Sequence, residues 1–138
     1  MRVDWAIPCR YVEVQQGGGA TIIGAGVDAI LLPEVPSPVQ ILFAVRFVGA
    51  PDELDGDTLH QLAVRIYNPQ GERVGEQTGQ LTARLLQFVP GYLAEIVIPS
   101  AVVIEAREFG TYGVEFAIDR DERRVPIHVL QAQPANDS

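Results

Sequence analysis

The apolar residues of this chain recur with a period of two. Val39, Ile41, Phe43, Val45 and Phe47 alternate with Gln40, Leu42, Ala44, Arg46 and Val48. Leu62, Val64 and Ile66 alternate with Ala63, Arg65 and Tyr67, and Tyr112, Val114, Phe116 and Ile118 with Gly113, Glu115, Ala117 and Asp119. Successive side chains of a strand point to opposite faces, so this is the pattern of strands with one dry face and one wetter face. No window of helical length combines a 3.6-residue period with a capping signal. The chain is expected to be all-β.

Turn chemistry falls between the runs. "QQGGGAT" (15–21) can supply the positive φ angles of a hairpin. "PEVPSP" (33–38) carries three prolines, which cannot serve a central ladder, and so reads as a connection. "APDELDGDT" (50–58) is an acidic loop, "NPQGE" (68–72) suits a type I turn, and "DRDERR" (119–124) is the charged tip of a last hairpin. The expected strands span 3–14, 20–32, 39–48, 60–68, 73–83, 92–98, 101–106, 111–119 and 124–131, with the seventh able to continue the sixth through a bend. No connection is suited to a crossover helix, which disfavours parallel α/β folds. The fold class predicted is an immunoglobulin-like antiparallel β-sandwich of about seven to nine strands with little or no helix. It forms a single domain over 1–138 with 132–138 as a frayed tail.

"EFGTYGVEF" (108–116) sharpens the sandwich reading. A tyrosine near the start of the penultimate strand, whose hydroxyl reaches back to the backbone of the preceding loop, is the tyrosine corner of immunoglobulin-like domains. Tyr112 has that frame, and Gly110 lets the loop turn tightly. The alternative is a plain core tyrosine, and both readings are structural.

Composition narrows the function classes. A net charge of −8 and a pI near 4.6 disfavour nucleic acid and acidic lipid surfaces, which reward clustered cations. All ten basic residues are arginine. That fits the codon bias of a GC-rich genome, and it removes chemistry that needs a lysine, such as a Schiff base or a P-loop. The longest apolar stretches, "AILL" and "ILFAV", fall far short of the roughly 20 residues of a membrane-spanning helix. The first residues, "MRVDWAIPCRYVEV", interrupt any signal-peptide pattern with Asp4 and Trp5. Together with the single cysteine, Cys9, this leads to an expected cytoplasmic location.

The segments "DWAIPCRYVEVQQGGGATIIGAGVDAI", "VRIYNPQGERVGE" and "FGTYGVEFAIDRDERRVPIHV" resemble an uncharacterised family of small bacterial β-sandwich proteins, a domain of unknown function, from Asp4 to about Leu130. The resemblance implies a compact sandwich and no assigned activity, cofactor or catalytic residue. Its most distinctive part holds Gly24, Gly26 and Asp28. The glycines read as a bulge or close strand approach, and Asp28 as a turn cap or a partner for nearby amides.

Candidate sites are few. Asp52, Glu53, Asp55 and Asp57 place hard oxygen ligands in one loop, as calcium requires, although the spacing departs from an EF-hand and a solvated acidic loop is the simpler reading. His60, His128 and Cys9 lack the paired spacing of a zinc site. Both histidines read as surface residues, His60 opening a strand and His128 on an outer face, and Cys9 as a small buried apolar residue. Ser37, Ser100 and Ser138 lie outside any nucleophile elbow, and "GAGVDA" lacks the full dinucleotide fingerprint. No catalytic residue and no cofactor are assigned. The expected role is a non-catalytic protein-interaction or structural module. A small-ligand or calcium-binding sandwich is second, and an enzyme third. Leu42, Ala44 and Val48 add apolar groups to the outer parity of a strand. If uncovered, that face would serve a homodimer or another protein partner.

Overall fold

The computed structural model describes residues 1–15, 19–84 and 94–133. Within them the alternating runs become ten strands: β1 Arg2–Cys9, β2 Tyr11–Val14, β3 Ala20–Ile23, β4 Ala29–Leu32, β5 Ser37–Gly49, β6 His60–Tyr67, β7 Arg73–Leu81, β8 Ala94–Ala106, β9 Gly110–Ile118 and β10 Asp121–Gln131. The one helical element among the described residues is a 3₁₀ turn, Pro51–Leu54, in the acidic loop. The all-β expectation holds.

Three strands form one sheet in the order β1-β5-β8, and five form a second in the order β4-β10-β9-β6-β7. A separate hairpin pairs β2 with β3. The two larger sheets face each other over one core that includes Phe43, Val45, Ile104, Tyr112, Val114 and Phe116. Phe43 and Phe116 meet edge to face with ring centroids 4.9 Å apart, the arrangement favoured by the ring quadrupoles. Phe43, Val45, Val114 and Phe116 are at most 2% exposed.

Several expected boundaries differ. The span 20–32 divides into β3 and β4 because Gly24 and Gly26 take left-handed conformations, φ +69° and +85°. At Gly24 a Cβ would lie 2.8 Å from Arg10 Cγ, so the close approach excludes a larger residue. The span 3–14 divides at Arg10, whose amide donates to the Ile23 carbonyl. The sixth and seventh expected strands are one, β8, which runs through Pro99; a proline is tolerated there because β8 is an edge. The start of that span at 92–93, the centre of the glycine turn at 16–18 and the end of the tail lie outside the described residues.

One pairing is not antiparallel. β4 runs parallel to β10, with Ile30 opposite Val129 and Leu31 opposite Leu130. A two-residue alternation carries no information on strand direction. The long chain segment between these strands supplies the connection that parallel neighbours need.

Two turns fix the ends of β6 and β9. Asn68 to Gly71 closes the β6–β7 hairpin, with Gly71 N donating to Asn68 O at 2.9 Å and Asn68 Oδ1 accepting the amides of Gln70 and Glu72. Asp119 and Arg120 join β9 to β10, and Asp119 adopts φ +53°, a region that aspartate tolerates better than most residues.

Candidate functional site

The acidic loop does not act as one cluster. Asp55 folds its carboxylate onto its own loop: Oδ1 accepts the amides of Asp57 and Thr58 at 2.8 Å each, and Oδ2 the Thr58 hydroxyl at 2.9 Å. The amide and hydroxyl of Thr58 and the amide of Asp57 hold this carboxyl below its ordinary pKa. Asp52 and Asp57 are exposed. Glu53 turns the other way. One of its oxygens accepts the Ala50 amide at 2.8 Å and the other pairs with the α-amino group of Met1.

Glu53 thereby joins a group that the sequence reading separated. His60 is not a surface histidine: it is 3% exposed, at the first position of β6. Its Nδ1 lies 2.9 Å from Asp119 Oδ2, and its Nε2 is hydrogen-bonded to the Glu53 carbonyl. Both facing atoms are acceptors, an arrangement that favours the protonated ring, in which both nitrogens donate. Burial opposes that charge, but the Glu53 carbonyl and the Asp119 carboxylate outweigh it, leaving the His60 pKa above the ordinary histidine value. Asp119 is fixed from behind by the Gln61 amide, 3.2 Å from Oδ1, while its own amide donates to Gln61 O. Burial raises the Asp119 pKa, yet the His60 and Gln61 bonds bring it below the usual aspartate value. The Met1 ammonium bond, followed by the Ala50 amide, lowers that of Glu53. Glu53, His60 and Asp119 each offer a ligand atom, and these atoms lie within 4.8 Å of one another. His60 and Asp119 are 59 positions apart, and no local spacing announces the meeting.

A second feature lies between the sheets. β7 and β8 are edges of different sheets, each paired on one side only among the described residues. Opposite residues of an antiparallel pair point to the same face, and Leu62, Val64 and Ile66 of β6 face the core. Their partners on β7 are therefore its inward residues: Gly79, Gln77 and Gly75. Two glycines and an exposed glutamine supply little volume. A cavity of about 460 Å³ opens at the Gly75 end of this edge, lined by Ile66, Val74, Gly75, Val103 and Tyr112 together with the polar Asn68, Glu105, Arg107 and Glu108. Val74 and Val103 are 55% and 56% exposed. The glycines at one parity of "GEQTGQ" were the available signal, and it takes the strand register to interpret them.

The remaining residues singled out from sequence have structural surroundings. The buried Tyr112 hydroxyl donates to the Glu108 carbonyl at 3.0 Å and lies 3.4 Å from the Glu108 amide. Gly110 adopts φ +143°, and a Cβ there would meet Pro69 Cγ at 2.8 Å. Asp28 accepts the His128 amide through its backbone carbonyl. His128 is half-buried on the outer face, 2.9 Å from the Thr111 hydroxyl. Cys9 is buried, and that burial raises its thiol pKa. Ala44 and Val48 are 0% and 3% exposed, so the face they were expected to offer a partner is closed at both positions, while Leu42 is half-buried.

The register also builds an outer-face row that the sequence reading missed. Glu76, Arg65, Glu115 and Arg124 stand opposite one another across β7, β6, β9 and β10, alternating in charge. Glu115, 5% exposed, receives Arg65 at 3.0 Å and Arg124 at 3.3 Å, while Arg124 also lies over the Tyr67 ring. Paired on both sides, this buried carboxylate reads as part of the scaffold.

No helix among the described residues is long and apolar enough to cross a membrane. No curated protein matches the chain. The model of one family, described as a family of unknown function (DUF6941), matches residues 4–130, and the chain belongs to that family.

Proposed function

We propose that this chain is a cytoplasmic, non-catalytic protein-interaction module that takes an extended segment of a partner along the opening between β7 and β8. The observation that carries this reading is the pair of unpaired strand edges, among the described residues, flanking a cavity of about 460 Å³. An added strand satisfies its backbone on such an edge, and its side chains then reach the cavity beside Gly75 and Val103. The volume lies within the usual range of ligand clefts, and a lining that mixes apolar side chains with Asn68, Glu105, Arg107 and Glu108 suits a peptide of mixed character. The engaged ring nitrogens of His60 and the buried Cys9 support a non-catalytic role, since neither is poised as a base or a nucleophile.

The test is selection from a displayed random-peptide library on the immobilised chain, followed by amide chemical-shift mapping with the enriched peptides. Peptides alternating apolar and polar residues should enrich, perturb amides of β7 and β8, and bind Val103→Arg at least tenfold more weakly. Enriched peptides that map elsewhere, or that bind Val103→Arg unchanged, would refute the reading. Light scattering identifies a second copy as the occupant if the chain is a dimer that Val103→Arg dissociates.

A further inference from the structure

We propose that Glu53, His60 and Asp119 form a binding site for a divalent transition-metal ion of the zinc class, independent of the β7–β8 opening. Three separate elements bring one nitrogen and two carboxylates together: the 3₁₀ turn, the start of β6 and the β9–β10 turn. The donor set is one that zinc accepts, whereas calcium prefers oxygens alone and in greater number. The imidazole is arranged as a ligand. Its Nε2 is held by the Glu53 carbonyl, the kind of outer contact that fixes the ring of a metal-bound histidine, and Nδ1 faces Asp119.

The spacing also fits. Zinc–ligand bonds of about 2.1 Å give a tetrahedron with edges of about 3.4 Å. The Nδ1–Oδ2 separation of 2.9 Å lies below that value and the outer limit of 4.8 Å for the set lies above it, so small side-chain rotations suffice. His60 is buried, but the Glu53 and Asp119 side chains are 33% and 32% exposed, which leaves an approach from solvent. In the present arrangement the carboxylates balance two cationic groups, the His60 ring and the Met1 ammonium. A bound ion replaces the proton on Nδ1 and takes over from the ammonium as the partner of the carboxylates. Its effect is structural, tying the 3₁₀ turn and the hairpin tip to the end of β6.

The experiment is calorimetric titration of the chelator-treated full chain with Zn²⁺, with Co²⁺ absorption as a second readout. One equivalent of Zn²⁺ should bind, and Co²⁺ should develop the intense visible bands of a four-coordinate nitrogen–oxygen site. Asp119→Asn, which keeps a residue tolerant of positive φ, and Glu53→Gln should each weaken binding at least tenfold with an unchanged far-ultraviolet spectrum. Asp55→Asn should leave it unchanged. Absence of uptake at millimolar Zn²⁺, or uptake indifferent to both Asp119→Asn and Glu53→Gln, would overturn the proposal. Should His60→Gln fail to fold, those two half-exposed positions still decide it.

Discussion

β9 and β7 belong to the same sheet, separated only by β6, and their inward faces differ in what they carry. β9 turns in Tyr112, Val114, Phe116 and Ile118, all at most 2% exposed. β7 turns in Gly75, Gln77 and Gly79 before Leu81 rejoins the core, and the cavity beside β8 lies at its Gly75 end. Backbone pairing is continuous across both. Period-two alternation therefore makes a sheet, but the volume of the inward residues decides whether its face becomes a core or an opening. The largest test of this contrast is Phe116→Ala. It removes one ring of the buried Phe43–Phe116 pair and should cost about 3–5 kcal/mol in denaturant unfolding. A loss under about 1 kcal/mol would mean that the interior is not packed as tightly as its burial indicates.

Tyr112 belongs to both regions, since its ring is buried while the residue also lines the cavity. Tyr112→Phe keeps the ring and deletes the hydroxyl that binds Glu108. Stability should fall by about 1 kcal/mol, with the Glu108–Gly110 loop exchanging its amide hydrogens faster. An unchanged midpoint would mean that the hydroxyl bond contributes nothing net.

Gly79→Val should move stability by no more than about 0.5 kcal/mol, because no heavy atom stands within 4 Å of the Cβ position and the strand backbone accepts a β-branched residue. A change of inward volume is thus damaging on β9, where Phe116→Ala empties a packed site, and harmless to folding on β7, where Gly79→Val enters open space. A loss above about 2 kcal/mol at Gly79 would mean that the space beside this glycine is filled in solution.

How much of this was legible depends on the range of the signal. The inward identities of β5 and β9 were, because alternation places Phe43 and Val45, or Val114 and Phe116, on one face whatever their partners. The break at Gly24 and Gly26 was partly visible as glycine chemistry, but not as a division of one strand into two. Strand order and the parallel β4–β10 pair were not legible, since neighbours in space are set by long-range packing. The candidate site shares that limit. His60 finds Asp119 across 59 positions, and the glycines of β7 acquire meaning only when the register places them opposite Leu62 and Ile66.

The mildest test compares solvent access without altering stability. Cys9 is 7% exposed and its burial raises the thiol pKa above the ordinary value, although the Ala44 and Tyr11 backbone bonds partly counter this. The thiolate is the reactive form, so at a given pH less of it is present, and the rise of its labelling rate with pH is displaced upward. In the native protein the disulfide reagent DTNB should modify Cys9 far more slowly than a free thiol, with full reaction on unfolding. A cysteine placed by Val103→Cys, where valine is 56% exposed beside the opening, should react within a small factor of the free thiol rate. Fast labelling at Cys9 would show that β1 separates readily from β5, and slow labelling at position 103 would show that the β7–β8 opening is covered.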